Sequence, residues 1–155
     1  MGTPRTRLLA AIKGNPALVD RLLMVAEPPA GVTVNSPESA AAILVPMLAG
    51  HTTERLVALA FDRKGRLMGS TTLTTGSDAF TVVCPKQVYR WALMQGSSGA
   101  SSVIIAHNHP SGDPTPSAQD REVTRRVKRA GEVIGIPMVD HIVVAGTDWS
   151  RVEVL

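Results

Sequence analysis

Val103-Ile104-Ile105-Ala106-His107-Asn108-His109-Pro110-Ser111-Gly112-Asp113-Pro114-Thr115-Pro116-Ser117-Ala118-Gln119-Asp120 runs from an apolar segment through two imidazoles and a Pro/Gly-rich loop into a helix start. The apolar run, read from Ser101 to Ala106, predicts a buried strand that delivers His107 at its C-terminal end. Side chains alternate along a strand, so His107 and His109 can point one way while Asn108 points the other. Pro110, Gly112, Pro114 and Pro116 can turn the chain back and lower the entropy of holding it there. The following helix, expected over Ser117 to about Ala130, would present Asp120 in its first turn. Two imidazoles and one carboxylate make a three-ligand set for Zn²⁺ that leaves the fourth tetrahedral position to water. Ser117-x-x-Asp120 also fits a capping box, although Glu or Gln is the commoner partner.

Outward from this stretch, helices alternate with strands. Ser36-Pro37-Glu38 is a helix start, with Ser as cap, Pro in the first turn and an acid suited to the dipole; that helix should run to about Leu48 and stop at Gly50. Leu56 to Phe61 reads as a buried strand, Asp62 to Gly65 as a hairpin turn, and Arg66 to Leu73 as the returning strand. Pro85 to Met94 reads as a helix ending at Gly96. Met138 to Ala145 is a strand, Gly146-Thr147-Asp148 a turn, and Arg151 to Leu155 a short last strand. Ahead of all this, the apolar stripes of residues 5–12 and 16–25 predict helices, with a linker at Glu27 to Gly31. The expectation is an N-terminal helical extension over residues 1–30 and one α/β or α+β domain over residues 31–155, its sheet layered by helices.

Composition sets the outer limits. A chain of 155 residues can bury a sizeable single core. Aromatics are only 3%, so the core must come from aliphatic side chains, and base stacking on aromatic platforms is disfavoured. The net charge is +3. Arg121, Arg125, Arg126, Lys128 and Arg129 form a basic run, read first as the solvated face of a helix and second as a phosphate-binding stripe. One cysteine, Cys84, excludes an internal disulfide and a Cys-rich zinc ribbon; it is expected to be small and buried or half-buried. With no signal-type segment and no long apolar run, a cytoplasmic protein without membrane contact is expected.

Hydrolysis at such a metal set needs a base, a role commonly filled by a Glu that is not itself a ligand. Glu54 opens a strand expected in the same sheet as His107; its bland alternative is an exposed carboxylate at a strand start. His141 beside Asp140 reads as structural, near the site, and His51 as a turn residue with no special role.

Glu54, then His107-x-His109, seven residues, Ser117, two residues and Asp120 resemble the JAMM (JAB1/MPN/Mov34) metalloprotease pattern. His107 to Ser117, the Ser36-Pro37-Glu38 helix, Thr124-Arg125-Arg126 and Val139 to Val143 resemble, more narrowly, its bacterial RadC branch, over roughly residues 34–146. The resemblance implies a mixed sheet flanked by helices in the JAMM/MPN, cytidine-deaminase-like, architecture. It implies Zn²⁺ on His107, His109 and Asp120, with Glu54 as general acid/base and Ser117 stabilising the oxyanion. It also implies a peptide or protein substrate cut at a peptide or isopeptide bond. Full-length RadC chains carry a helix-hairpin-helix region ahead of this domain, for which residues 1–30 hold no Gly-rich signature, and a C-terminal segment beyond the point matching Leu155. DNA binding is the weaker expectation. The competing reading is a metal-binding module associated with DNA repair or recombination, with little or no peptidase activity. Retention of both Glu54 and Ser117 favours the hydrolase, since a structural metal site needs neither.

Overall fold

The structure is a computed structural model and describes residue 28, residues 30–76 and residues 83–154. The helices expected over residues 5–12 and 16–25 lie outside the described residues.

Eight elements follow in order: α1 (Pro37–Leu48), β1 (Arg55–Phe61), β2 (Leu67–Thr75), α2 (Pro85–Leu93), β3 (Ser102–Asn108), α3 (Ala118–Ile134), β4 (Met138–Ala145) and β5 (Asp148–Arg151). The strands form one five-stranded mixed sheet in the order β2-β1-β3-β4-β5. Only β3 and β4 run parallel, joined by the crossover helix α3; the other neighbours are antiparallel. This is the mixed α+β sheet flanked by helices that the sequence implied, consistent with a JAB/MPN-type domain.

The central strands are near-continuous apolar runs because both of their faces are covered. On one face Leu56, Ala58, Ala60, Val103 and Ile105 pack with Val88, Tyr89 and Ala92 of α2 and Val123 and Val127 of α3. On the other, Val57, Leu59, Phe61, Ile104, Ala106, Ile142 and Val144 pack against Ala40, Leu44 and Leu48 of α1. Full burial of a Leu or Ile side chain stabilises by about 1.5–3 kcal/mol, so these two layers supply most of the drive to fold.

Three details differ from the sequence reading. Helix α3 does not stop near Ala130 but runs on to Ile134, capped by Gly135 at φ 82°. Gly131 lies inside it, at a position where a side chain would collide with the Tyr89 hydroxyl and the Ile136 carbonyl. Tyr89 Oη donates to the Val127 carbonyl at 2.8 Å, and burial pushes this phenol up to about 12. The last strand is Asp148–Arg151, not Arg151–Leu155, because Gly146 at φ 62° allows a tight turn that pairs Ala145 with Asp148. Cys84 is exposed, sitting at the cap position of α2. No helix among the described residues is long and apolar enough to cross a membrane.

Candidate metal centre

β3 lies at the middle of the sheet and ends in His107 and Asn108, so its C-terminal end projects chemistry from the centre of the fold. The loop from His109 to Ser117 is fixed at several points. Asp113 carboxylate accepts from the Thr115 amide at 2.9 Å, and the Ser150 hydroxyl of β5 donates to the Pro114 carbonyl. The loop ends in a complete capping box. Asp120 N donates to Ser117 Oγ at 3.0 Å, and Ser117 N donates to Asp120 Oδ2 at 2.6 Å.

The chain thereby gathers the residues singled out by spacing. His107 Nε2 and His109 Nε2 lie 2.9 Å apart. Asp120 reaches both, Oδ1 at 3.3 Å from His107 Nε2 and Oδ2 at 3.5 Å from His109 Nε2. Glu54, just before β1, brings Oε1 to 3.9 Å from His107 Nε2. One donor atom from each of Glu54, His107 and His109 falls within 4.8 Å of the others, a candidate metal-binding triad. Ser117 stands as the helix cap beside Asp120, exposed to solvent.

The hydrogen-bond network assigns the tautomers. The Thr124 hydroxyl donates to the Asp120 carbonyl at 2.6 Å, leaving its oxygen to accept from His141 Nδ1 at 2.6 Å. His141 Nε2 then carries a lone pair, which accepts from His107 Nδ1 at 2.8 Å. On the other ring, His109 Nδ1 donates to the Asp113 carbonyl at 2.8 Å. Both inward-facing Nε2 atoms therefore present lone pairs, as metal-ligating imidazoles do when their outer nitrogens are held by acceptors. Two lone pairs and two carboxylates converge on one point. A cation among them turns that repulsion into attraction, and imidazole nitrogen with carboxylate oxygen is a donor set that divalent metal ions take.

Burial sets the proton affinities. It lowers His107, and lowers the fully buried His141 much further, so both rings are neutral at neutral pH. Burial also raises the Glu54 carboxyl, an effect that the nearby His109 only partly offsets. For Asp120 burial works upward too, but the neighbouring His107 ring and the hydrogen bonds from Ser117 outweigh it and hold the carboxyl well below its ordinary range. One carboxylate stays ionised while the other is tuned toward taking a proton, a division typical of catalytic pairs.

Three contributors went unnoticed in the sequence: Thr124, the backbone carbonyl of Asp113, and Asn108. His51, read as a turn residue with no special role, is buried, and its carbonyl accepts from Asn108 Nδ2 at 3.4 Å. His141 is structural and adjacent, as read from the sequence, and contacts His107 directly.

Fold and cluster together define a mixed α+β domain with a candidate metal centre at the end of its central strand. The chain belongs to the family described as the RadC-like JAB domain, whose model matches residues 34–152, and JAB domains are related to hydrolases. It is 34% identical over 148 residues to the UPF0758 protein tlr1707 of Thermosynechococcus vestitus, a match covering 96% of this chain and 56% of that protein. It is 44% identical over 92 residues to a UPF0758 protein of Thermotoga maritima, covering 59% and 40%. With the UPF0758 protein ABC2615 of Shouchella clausii it shares 41% over 111 residues, covering 72% and 47%. The chain spans about half the length of these relatives.

Proposed function

We propose that this domain is a zinc-dependent hydrolase of the JAMM type, acting in the cytoplasm on a peptide or isopeptide bond of a protein or peptide substrate. The convergence of two imidazole lone pairs with Asp120 and Glu54 carries this reading. In it, His107 and His109 bind the ion through Nε2, and Asp120 adds the negative charge that offsets it. A zinc ion held there would supply Lewis acidity and make water a better nucleophile near neutral pH. Glu54 takes a proton on its carboxylate as water attacks and returns it to the leaving amine, a task suited to a carboxyl raised by burial. Ser117 Oγ accepts from the Asp120 amide, which leaves its O–H proton to donate toward a developing oxyanion. Such a donor is worth roughly 2.7–4 kcal/mol in comparable sites.

The deciding experiment is cleavage of peptide libraries by zinc-loaded protein, with and without chelator. Cleavage that chelator abolishes and that falls roughly 10²–10⁴-fold in Glu54→Gln, zinc content unchanged, is the expected result. A Glu54→Gln protein that cuts like wild type would remove the base from this scheme.

The second reading, a metal-binding module that associates with nucleic acid, draws on one feature of α3. Arg125, Arg126 and Arg129 line an open groove together with Glu122, which pairs with Arg125, and with Pro85 and Val133. A salt-dependent gel shift of DNA, lost on replacing these arginines and indifferent to His107→Ala, would favour it.

A further inference from the structure

Asn108 sits between the two histidines, on the opposite side of the strand, and is 3% exposed. The antiparallel ladder between β1 and β3 ends with Leu56 opposite His107. Continued one step, that register would set Arg55 opposite Asn108, and one step further Glu54 opposite His109. The Asn108 side chain takes the place of the next rung. Its Oδ1 accepts from Arg55 N at 2.8 Å, and its Nδ2 donates to the Thr53 carbonyl at 3.1 Å. Its second Nδ2 proton reaches the His51 carbonyl at 3.4 Å.

The two groups held are the carbonyl just before Glu54 and the N–H just after it. In an extended chain these point to the same side, and one amide, with a donor and an acceptor side by side, can clasp both. Fixing the peptide planes on either side of a residue fixes the direction of its Cα–Cβ bond. From its other side Glu54 is held by its own carbonyl, which accepts from Gly76 N at 2.9 Å. Aspartate could accept from Arg55 but would turn a carboxylate on two carbonyl oxygens, and serine is too short to span both groups.

We infer that Asn108 is the positioning residue for Glu54, aiming its carboxylate at the metal site from the same strand that carries His107 and His109. The inference rests on the reading that Glu54 moves the proton, and it adds the residue that places it. β3 thus sets the ligands with one face and the base with the other.

Asn108→Leu keeps the branched four-atom side-chain skeleton, though bulkier, and removes the amide; Asn108→Ala serves should the leucine protein not fold. Three quantities are measured on the full chain. They are amide exchange at Arg55, the carboxyl ¹³C resonance of Glu54 in zinc-free protein at fixed pH (assigned by its loss in Glu54→Gln), and uptake of zinc alone. Arg55 exchange should rise roughly two- to tenfold relative to Ala58, the cost of one hydrogen bond. The Glu54 resonance should move toward that of an exposed glutamate, with zinc uptake as in wild type. Unchanged exchange and an unchanged resonance overturn the inference. Loss of zinc uptake overturns it too, because Asn108 would then act through the ligands. A wild-type protein that takes up no zinc defeats the hydrolase reading alone, and the two zinc-free measurements still judge the clasp.

Discussion

Among the described residues the chain closes a capping box at two helix starts, and the two differ by one residue type. At α1, Ser39 N donates to Ser36 Oγ at 3.1 Å, and Ser36 N donates to Ser39 Oγ at 3.0 Å. At α3 the same two bonds are made by Ser117 and Asp120. Serine at the third position serves the cap alone, bonding Ser36 and the Asn35 amide. Aspartate there spends part of one oxygen on the cap and presents both oxygens to His107 and His109. A cap is an inexpensive way to immobilise a charged ligand, because the helix would need the hydrogen bonds in any case.

The comparison breaks most sharply if the α3 box is given the α1 residue. Asp120→Ser should keep the helix start, and zinc affinity should fall at least about 100-fold, beyond what loss of an outer-shell partner costs. Competition with a chromophoric chelator measures it; a zinc affinity like wild type's would remove Asp120 from the ligand set.

Next in size is the pH dependence of the buried histidines, His107 and His141 at the α3 end and, less deeply buried, His51 after α1. His107 and His141 are lowered by burial from an ordinary 6.5, so the unfolded chain takes up protons before the folded one as pH falls. Their contribution is complete above 6.5 and is lost as pH falls below it toward the folded values. The denaturant midpoint of zinc-free protein should drop between about pH 7.5 and about pH 5.5. His141→Gln should flatten that slope, and an equal slope in both proteins would contradict the burial account.

The smallest effects come from the caps themselves. Ser36→Ala and Ser117→Ala should each destabilise by about 1 kcal/mol in thermal melts of zinc-free protein. Only Ser117→Ala should also weaken zinc binding, since it frees Asp120 to rotate. Equal zinc affinities in the two variants would mean that the α3 box positions nothing.

What could be read beforehand follows from the range of the forces involved. His107, His109 and Asp120 were legible because strand alternation, a proline-stiffened loop and a helix cap are all local. The starts of α1 and α2 were legible from Ser36-Pro37 and Pro85 for the same reason. Asn108 and Thr124 were not, since their partners Arg55 and His141 lie 53 and 17 residues away and leave no mark on neighbouring positions. The helix expected to end near Ala130 runs on through Gly131, and the reason for a glycine there, the Tyr89 hydroxyl, comes from another helix.

The parallel pairing of β3 with β4 sets Ile105 beside His141 and His107 beside Val143. A slip of one residue would turn every side chain of β3 to the opposite face. Asn108 would then stand where His107 belongs, and the lone-pair convergence would vanish together with half of the core. Misregistered chains could therefore bind no metal at this centre. The metal content of a preparation would report directly on how faithfully its sheet has assembled.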